Sequence, residues 1–243
     1  MKRLIIDIGN TLTKVAVFSG NDLVFRDQTE DIDPDYLNRF AAQFSDIKSS
    51  ILSSVKHHPE SIEDFLRSRY FFISLDHTTK IPLLNKYKTP ETLGKDRIAL
   101  AVGGMKRFPG SDVLIIDAGT TITYDLVTSN KEYLGGGISP GIKIRFKALN
   151  TFTGKLPLIN EIKEVDLVGN DTISSIQSGV LNGVVHEMDG MTEAYKSQFT
   201  DLKIAITGGD HIYFVKKLKN SIFATPNLVM EGLNEILIFN EGS

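Results

Sequence analysis

The sequence contains no cysteine, and it has no long uninterrupted run of hydrophobic residues. Without thiols the chain forms no disulfides, no thiolate zinc sites and no iron–sulfur clusters, and it has no cysteine nucleophile. A membrane-spanning helix needs about 18 or more apolar residues in succession, and no segment supplies them. The chemistry that remains is that of carboxylates, hydroxyls, imidazoles and the backbone.

The sequence also lacks an excess of positive charge, because 27 Lys and Arg residues stand against 30 Asp and Glu residues and the formal net charge is −3. Binding to nucleic acid depends on clustered basic side chains, so we expect no nucleic-acid partner, and we expect no membrane partner. The first apolar run ends at Asp7, which is not the pattern of a signal or transit peptide. The expected location is cytoplasmic, and the composition favours an enzyme that acts on a small molecule.

One segment of the sequence occurs twice. Residues 4–17 read LIIDIGNTLTKVAV and residues 114–127 read LIIDAGTTITYDLV, so the copies lie 110 positions apart. Eight of the fourteen aligned positions are identical, and they include Asp7, Asp117 and the glycine two residues after each of them. A hydrophobic pattern alone does not fix such polar positions. The repeat therefore indicates a duplicated fold.

The domain organisation follows from the spacing of the two copies. The helical pattern of residues 92–108 stops at Pro109 and Gly110, directly before the second copy. Domains commonly contain about 100 to 150 residues, so a chain of 243 residues has room for two. We predict an N-terminal domain at 1–110 and a C-terminal domain at 111–243. Both are predicted to be of the α/β class, with the ligand site in a cleft between them.

Hydrophobic periodicity predicts the same beginning for both halves, which is a pair of strands joined by a glycine-containing turn. Strands are predicted at 3–8, 12–18, 22–29, 47–55, 70–74, 113–117, 121–127, 133–138 and 203–207. Helices are predicted at 34–44, 59–69, 92–108, 141–150, 172–199 and 210–218.

The repeated turn combines groups that bind phosphate. A glycine lets the backbone approach a ligand closely, and turn N–H groups together with the hydroxyls of Thr11, Thr13, Thr120 and Thr121 can bind phosphate oxygens. Lys14 can reach back toward phosphate as a point charge, and the second copy has no lysine at that place. Such turns also serve local hydrogen bonding alone, so it is the pairing of two copies that favours a nucleotide site.

Three motifs carry a resemblance to a known superfamily. They are Asp-x-Gly-Asn-Thr-x-x-Lys at 7–14, Asp-x-Gly-Thr-x-x-Thr-x-Asp at 117–125 and Thr-Gly-Gly-Asp at 207–210. They resemble the phosphate-1, phosphate-2 and adenosine motifs of the superfamily of acetate and sugar kinases, heat-shock chaperones and actin. The implied fold is α/β, with duplicated ribonuclease H-like (actin-like ATPase) domains and a central cleft.

Within this superfamily the chain resembles the type III pantothenate kinases. Their signature Gly-x-Asp-Arg occurs here at 94–97, and Tyr87 precedes it at the family's usual distance. The segment GGGISPG at 135–141 and Thr172 ahead of SIQSG also fit the family. The resemblance implies ATP-dependent phosphorylation of the primary hydroxyl of pantothenate, which is the first step of coenzyme A biosynthesis.

The resemblance also implies roles for individual residues. Asp96 is expected to be the general base, and Asp117 is expected to bind a monovalent cation, K⁺ or NH₄⁺. Mg²⁺ should accompany ATP through phosphate oxygens and water, with few protein ligands. Substrate binding is assigned to Tyr87, Gly94, Lys95, Asp96, Arg97 and Thr172. ATP binding is assigned to Asp7, Ile8, Gly9, Asn10, Thr11, Leu12, Thr13, Lys14 and Thr120.

Parts of the sequence are also consistent with other functions. A nucleotide-binding regulatory protein of the same fold and a kinase for another small alcohol stay open, although intact Asp96 and Lys14 favour catalysis. A serine hydrolase is rejected, because the Gly-x-Ser-x-Gly match at 137–141 has Pro140 after the serine and proline has no N–H for an oxyanion hole. Pro140 is predicted instead to begin a helix.

The long predicted helix at 172–199 contains Gly179, Gly183 and Gly190. Glycine inside a helix costs stability unless close packing compensates for it. Close approach of another helix would account for all three residues. The family resemblance implies a homodimer in which the substrate pocket lies near the subunit interface.

Overall fold

The computed structural model describes residues 1–242, which form a mixed α/β structure. The strands are Lys2–Ile8 (β1), Thr13–Ser19 (β2), Asp22–Thr29 (β3), Ile47–Ser54 (β4), Phe71–Ser74 (β5), Leu84–Asn85 (β6), Val113–Ala118 (β7), Thr121–Val127 (β8), Glu132–Pro140 (β9), Lys203–Thr207 (β10) and Phe223–Ala224 (β11). The helices are Pro34–Gln43 (α1), Glu60–Arg69 (α2), Lys95–Arg107 (α3), Ile142–Phe152 (α4), Thr172–Lys196 (α5), His211–Val215 (α6) and Leu228–Glu241 (α7). None of the helices in this described range is long and apolar enough to span a membrane.

Contacts within the chain group its residues into two compact units. Unit 1 comprises residues 1–109, 130–134 and the residues from 227 onward, and unit 2 comprises 110–129 and 135–226. This grouping departs from the predicted domains in two places. The start of β9 and the helix α7 follow the predicted boundary in sequence, yet both make their contacts within unit 1.

Unit 1 is built on a five-stranded sheet in the order β3-β2-β1-β4-β5. The strands β1, β2 and β3 are antiparallel, whereas β4 runs parallel to β1 and β5 runs parallel to β4. Leu4, Ile6 and Ile8 of β1 pack with Leu37 of α1 and Leu66 of α2. Because side chains alternate along a strand, the odd-numbered residues of β1 lie on the opposite face of the sheet.

Helix α7 belongs to unit 1 because it packs closely along α3. A Cβ added at Gly103 of α3 would overlap a backbone carbonyl oxygen of α7, and one added at Gly232 of α7 would overlap the carbonyl oxygen of Ala99. The missing side chains allow the two backbones to touch. The far end of α7 is held by Glu241, whose carboxylate accepts hydrogen bonds from Arg3 at 2.6 and 2.9 Å. A helix from the end of the chain thus completes the N-terminal unit.

Unit 2 repeats the strand order of unit 1, since β9-β8-β7-β10-β11 corresponds to β3-β2-β1-β4-β5. Here β7 and β8 are antiparallel, and β10 runs parallel to both β7 and β11. One face of this sheet packs against α4 and α5, where Tyr124, Phe146 and Met188 are fully buried. The fold is therefore a duplicated ribonuclease H-like fold, as the sequence predicts.

The boundaries of several elements differ from the predictions. Helix α3 begins at Lys95, because the residues before it form a separate 3₁₀ turn at Pro90–Thr92. Pro140 is the last residue of β9 and does not begin a helix, since α4 starts at Ile142 with Gly141 as its N-cap. The strands β6 and β11 and the helix α7 are absent from the predictions.

Candidate active site

The first repeated turn connects β1 and β2 in unit 1. The two strands pair so that Asp7 lies opposite Lys14. The turn is closed by a hydrogen bond from the backbone N–H of Gly9 to the carbonyl oxygen of Leu12, at 3.1 Å. Its tip at residues 10–12 is exposed, whereas the Asp7 side chain is buried. The ATP-binding residues predicted for this turn therefore surround one exposed loop with a carboxylate and an ammonium group at its base.

Asp7 lies in an environment that disfavours its charge. Burial raises the pKa of Asp7 to about 6, Lys14 opposes this increase, Asp96 adds to it, and the hydroxyl of Ser53 opposes it. Removing a carboxylate from water favours the protonated form, while a nearby cation favours the ionised form. Since Asp96 is the predicted general base, the first turn and the signature segment interact electrostatically within unit 1.

Ser53 is a neighbour of Asp7 that the motifs do not indicate. It lies on β4 directly opposite Asp7 and is fully buried. Residues that pair directly on neighbouring strands share one face of the sheet, so Lys14, Asp7 and Ser53 form a row across three strands. Among residues 1–242, Asp7 Oδ1, Ser53 Oγ and Thr13 Oγ1 are buried without a well-formed hydrogen bond. The serine is visible in the sequence, but the pairing of β4 with β1 is not.

The signature segment forms the start of helix α3. Gly94 is the N-cap of this helix and Asp96 is its second residue. The Asp96 carboxylate accepts a hydrogen bond from the backbone N–H of Arg97, at 2.9 Å, and a negative group is favoured at this end of a helix. A Cβ added at Gly94 would overlap the Asp96 carboxylate. Glycine at this position therefore leaves the space that the predicted base occupies.

Tyr87 and Arg97 come together in unit 1. The guanidinium carbon of Arg97 lies 5.8 Å from the centroid of the Tyr87 ring, which is within the range of a cation–π contact. Arg97 is 5% exposed. Because Arg97 follows Asp96 directly, Tyr87 and the signature segment form one continuous arrangement in this unit.

The second repeated turn connects β7 and β8 in unit 2. Asp117 lies opposite Thr123, and the turn is closed by a hydrogen bond from the N–H of Gly119 to the carbonyl oxygen of Thr121, at 3.0 Å. Gly208 has a φ of 94°, and a Cβ there would overlap the Asp117 carboxylate and a neighbouring carbonyl oxygen. The phosphate-2 and adenosine motifs therefore meet within unit 2.

Thr120 lies at the exposed tip of the second turn. Its carbonyl oxygen accepts a hydrogen bond from the N–H of Gly141, at 3.2 Å, and the N–H of Asp210 donates to the carbonyl oxygen of Ala118, at 2.9 Å. Burial raises the pKa of Asp210, and Lys143 opposes that increase. The segments that precede α4 and α6 are thus both hydrogen-bonded to the second turn.

The residues around Asp117 are compatible with a monovalent cation. Among residues 1–242, no group of three or more His, Cys, Asp and Glu side chains is placed to hold a metal ion. A cation at Asp117 would therefore take further ligands from backbone carbonyl oxygens, ATP or water. Carbonyl and carboxylate oxygens are ligands that potassium accepts, and Gly208 lets the backbone pass close to this carboxylate.

Thr172 is the substrate residue predicted in unit 2. It is the first residue of α5, whose N-cap Asp171 accepts a hydrogen bond from the N–H of Ser174, at 2.8 Å. Thr172 lines a cavity of about 1020 Å³, together with Arg145 and Leu156. A cavity of that size can hold a small molecule. The other predicted substrate residues all belong to unit 1.

The chain is similar to known proteins over nearly its whole length. The family model of the type III pantothenate kinases matches residues 3–194. A type III pantothenate kinase of Christiangramia forsetii is 46% identical over 98% of this chain and 98% of its own. The chain belongs to the type III pantothenate kinase family. The kinase therefore carries out the ATP-dependent phosphorylation of pantothenate, the first step of coenzyme A biosynthesis.

Solved structures show how widely the fold of this kinase is shared. A protein from Campylobacter jejuni described as a Baf family transcriptional activator superposes with a TM-score of 0.64 at 22% identity, covering 99% of this chain and 100% of its own. A glucokinase from an Antarctic psychrotroph superposes with a TM-score of 0.55 at 12% identity, covering 98% and 99%. At such identities the likeness concerns the fold alone. The first of these matches therefore gives no support to a role in transcription.

Proposed function

We propose that Asp96 is the general base of pantothenate phosphorylation. Its carboxylate accepts the proton of the primary hydroxyl while the hydroxyl oxygen attacks the γ-phosphorus of ATP, and ADP leaves. The placement of Asp96 at the start of α3, beside Arg97 and in the space left by Gly94, supports this role. A positioned base of this kind contributes about 10²- to 10⁴-fold to the rate. We propose that the reaction takes place in the cytoplasm.

ATP binding is proposed for residues 7–14 of unit 1 and for Thr120 of unit 2. Lys14 supplies a point charge for phosphate, and its pairing opposite Asp7 supports this assignment. When bound, Mg²⁺ neutralises charge on the phosphates. The chain would meet that ion chiefly through phosphate oxygens and water, because Mg²⁺ retains much of its hydration.

Pantothenate binding is proposed for Tyr87, the segment 94–97 and Thr172. Arg97 carries a guanidinium fork that suits a carboxylate, and pantothenate has one carboxylate. The contact between Tyr87 and Arg97 supports a shared role for these two residues. Asp117 is proposed to bind K⁺ or NH₄⁺, which adds positive charge for a polyanionic nucleotide.

An assay of ADP release tests the proposed base. The wild type is expected to turn over only with pantothenate, and Asp96→Asn is expected to lower kcat by about 10²- to 10⁴-fold, since the amide cannot accept the proton. Glu91→Gln is the matched control, because Glu91 is an exposed carboxylate in the 3₁₀ turn before α3. Full activity of Asp96→Asn would show that Asp96 is not the general base. If other small alcohols are phosphorylated as fast as pantothenate, the assignment of pantothenate as the specific substrate is wrong.

A homodimer is proposed from the surface of α5. Gly179 and Gly190 are exposed, Gly183 is half-buried, and a Cβ at any of the three would meet no atom within 4 Å among the described residues. Such glycines allow a second helix to approach closely, and the same helix begins at Thr172, next to the exposed Ile173. A second copy of this chain is the proposed occupant of this face.

The oligomeric state tests this assignment. Wild-type protein is expected to have the mass of a dimer in light scattering, and Gly183→Arg is expected to shift it toward monomer because the new side chain occupies the open face. Ser61→Arg adds the same group at an exposed position of α2 and controls for the added charge. A monomeric wild type, or a dimer that Gly183→Arg leaves intact, would contradict the proposed interface.

A further inference from the structure

Tyr133 contacts a predicted substrate residue, although it comes from the second half of the chain. Its ring stacks with that of Tyr87, with centroids 6.3 Å apart and planes at 28°. Aromatic pairs attract each other at such distances. Tyr133 is fully buried, and Arg97 contacts the same Tyr87 ring. Tyr87 is thus in contact with a buried ring and a buried guanidinium group, both within unit 1.

The backbone around Tyr87 is fixed by the same part of β9. The strand β6 pairs with the start of β9 so that Asn85 lies opposite Tyr133. The N–H of Lys86 donates to the carbonyl oxygen of Tyr133, at 2.9 Å, and the N–H of Tyr87 donates to the side-chain oxygen of Asn85, also at 2.9 Å. Tyr133 therefore contacts the ring of Tyr87 and is also hydrogen-bonded to the backbone of the residue directly before it.

We propose that Tyr133 is a positioning residue for pantothenate, acting by holding the Tyr87 ring in place beside Arg97. The strand β6 has only two residues, and so short a strand gives little rigidity by itself. The buried ring of Tyr133 supplies the missing support. This inference rests on the proposed binding of pantothenate by Tyr87 and Arg97.

Steady-state kinetics of Tyr133→Leu test the proposal. Loss of the stacked ring should raise the KM for pantothenate about tenfold while the KM for ATP stays within about twofold, because the change affects the acceptor pocket alone. Tyr133→Phe retains the ring and should keep the KM for pantothenate within about threefold. Phe18→Leu removes another fully buried ring from unit 1. This variant controls for the general loss of stability that follows from removing a buried ring, and it should leave both KM values unchanged.

A double-mutant cycle with Tyr87→Leu separates support of Tyr87 from a general loss of stability. If Tyr133 acts through Tyr87, Tyr133→Leu should change the KM for pantothenate by less than about twofold once Tyr87 is already leucine. Additive effects in the cycle, or equal increases in both KM values, would overturn the inference. If Tyr87→Leu alone leaves the KM for pantothenate unchanged, the proposed pocket itself fails. If Tyr87→Leu raises that KM and Tyr133→Leu does not, the pocket stands and only the role of Tyr133 fails.

Discussion

The two repeated turns have similar sequences, yet their hairpins pair in different registers. Asp7 lies opposite Lys14 in the first hairpin. In the second hairpin Asp117 lies opposite Thr123, although Tyr124 is the residue that aligns with Lys14. The second turn is therefore one residue shorter between its paired strands. The ungapped alignment of the two copies does not reveal this difference.

A shift of one residue moves a side chain to the other face of a sheet. Lys14 consequently shares a face with Asp7, whereas Tyr124 lies on the face opposite to Asp117. The Tyr124 ring is buried in the core of unit 2, and its hydroxyl donates to Glu187 at 3.3 Å. Burial, with a further contribution from Glu187, raises the pKa of Tyr124. The two copies thus share a fold, while the aligned position lies on the face of Asp7 in the first copy and in the core in the second.

The largest expected difference between the two turns is in the loss of activity when Lys14 or its aligned residue Tyr124 is changed. Lys14→Met keeps the length of the side chain and removes its charge, so kcat/KM for ATP should fall about 10²- to 10³-fold, as is typical when a group that stabilises transition-state charge is lost. Tyr124→Phe at the aligned position should retain activity within about twofold. Comparable losses in ADP release by the two variants would show that the register does not separate their roles.

The burial of Asp7 predicts a stability change that depends on pH. Its folded pKa of about 6 lies above the ordinary value of 3.8, so well below pH 3.8 the carboxyl is protonated in both the folded and the unfolded state and burial has no cost. Between these two pKa values the carboxyl ionises in the unfolded state while it stays protonated in the folded state, so stability falls as pH rises, and above the folded pKa the full cost of the buried carboxylate is present. Asp7→Asn should therefore raise the free energy of unfolding by about 2 to 3 kcal/mol at pH 7 and by little near pH 4.

Thermal unfolding of Asp7→Asn from pH 4 to 8 measures this change, and MgATP binding should weaken in the same variant. Asp64→Asn, at an exposed carboxylate of α2, controls for the loss of one charge and should show no such dependence. A gain in stability that is equal at pH 4 and pH 7 would mean that the Asp7 carboxylate is not the cause.

Asp117 should respond differently from Asp7. Asp117→Asn is expected to reduce the ratio of turnover in potassium to turnover in sodium about tenfold, since a neutral amide binds a cation more weakly than a carboxylate. The assay is ADP release at fixed MgATP and pantothenate in the two salts. Asp7→Asn, in which MgATP binding should weaken, is expected to keep the wild-type ratio of turnover in potassium to turnover in sodium. If both variants keep it, the cation is not bound at Asp117.

The parts of the kinase that could be predicted from sequence depend on local patterns. The hairpins follow from alternating apolar residues around a glycine turn, and the helix that contains Asp96 follows from the helical pattern at 92–108, although it begins only at Lys95. The strand order of each unit agrees with the predicted fold class. Local sequence also indicated that residues 7–14 form one turn, because neighbours in sequence must be neighbours in space.

The parts that sequence did not predict depend on contacts between distant segments. The assignment of α7 to unit 1 rests on the approach of Gly103 and Gly232 to facing backbone, which no periodicity encodes. Ser53 lies opposite Asp7 because β4 pairs with β1, and Tyr133 lies opposite Asn85 because β9 pairs with β6. Pro140 was expected to begin a helix, but an extended proline fits the end of β9 equally well and the strand continues to it.

The smallest effect is expected for Tyr124, which aligns with Lys14 of the first copy. Tyr124→Phe removes the hydroxyl that donates to Glu187, and because this hydrogen bond is long at 3.3 Å, the loss in free energy of unfolding should be about 1 kcal/mol or less. Urea denaturation of the single variants and of the double variant with Glu187→Gln measures it, and the loss should shrink once Glu187 is changed. A stability loss without a change in turnover would place position 124 in the core. A loss of turnover without a loss of stability would instead indicate that position 124 takes part in phosphate binding. The register difference between the two hairpins would then have no functional meaning.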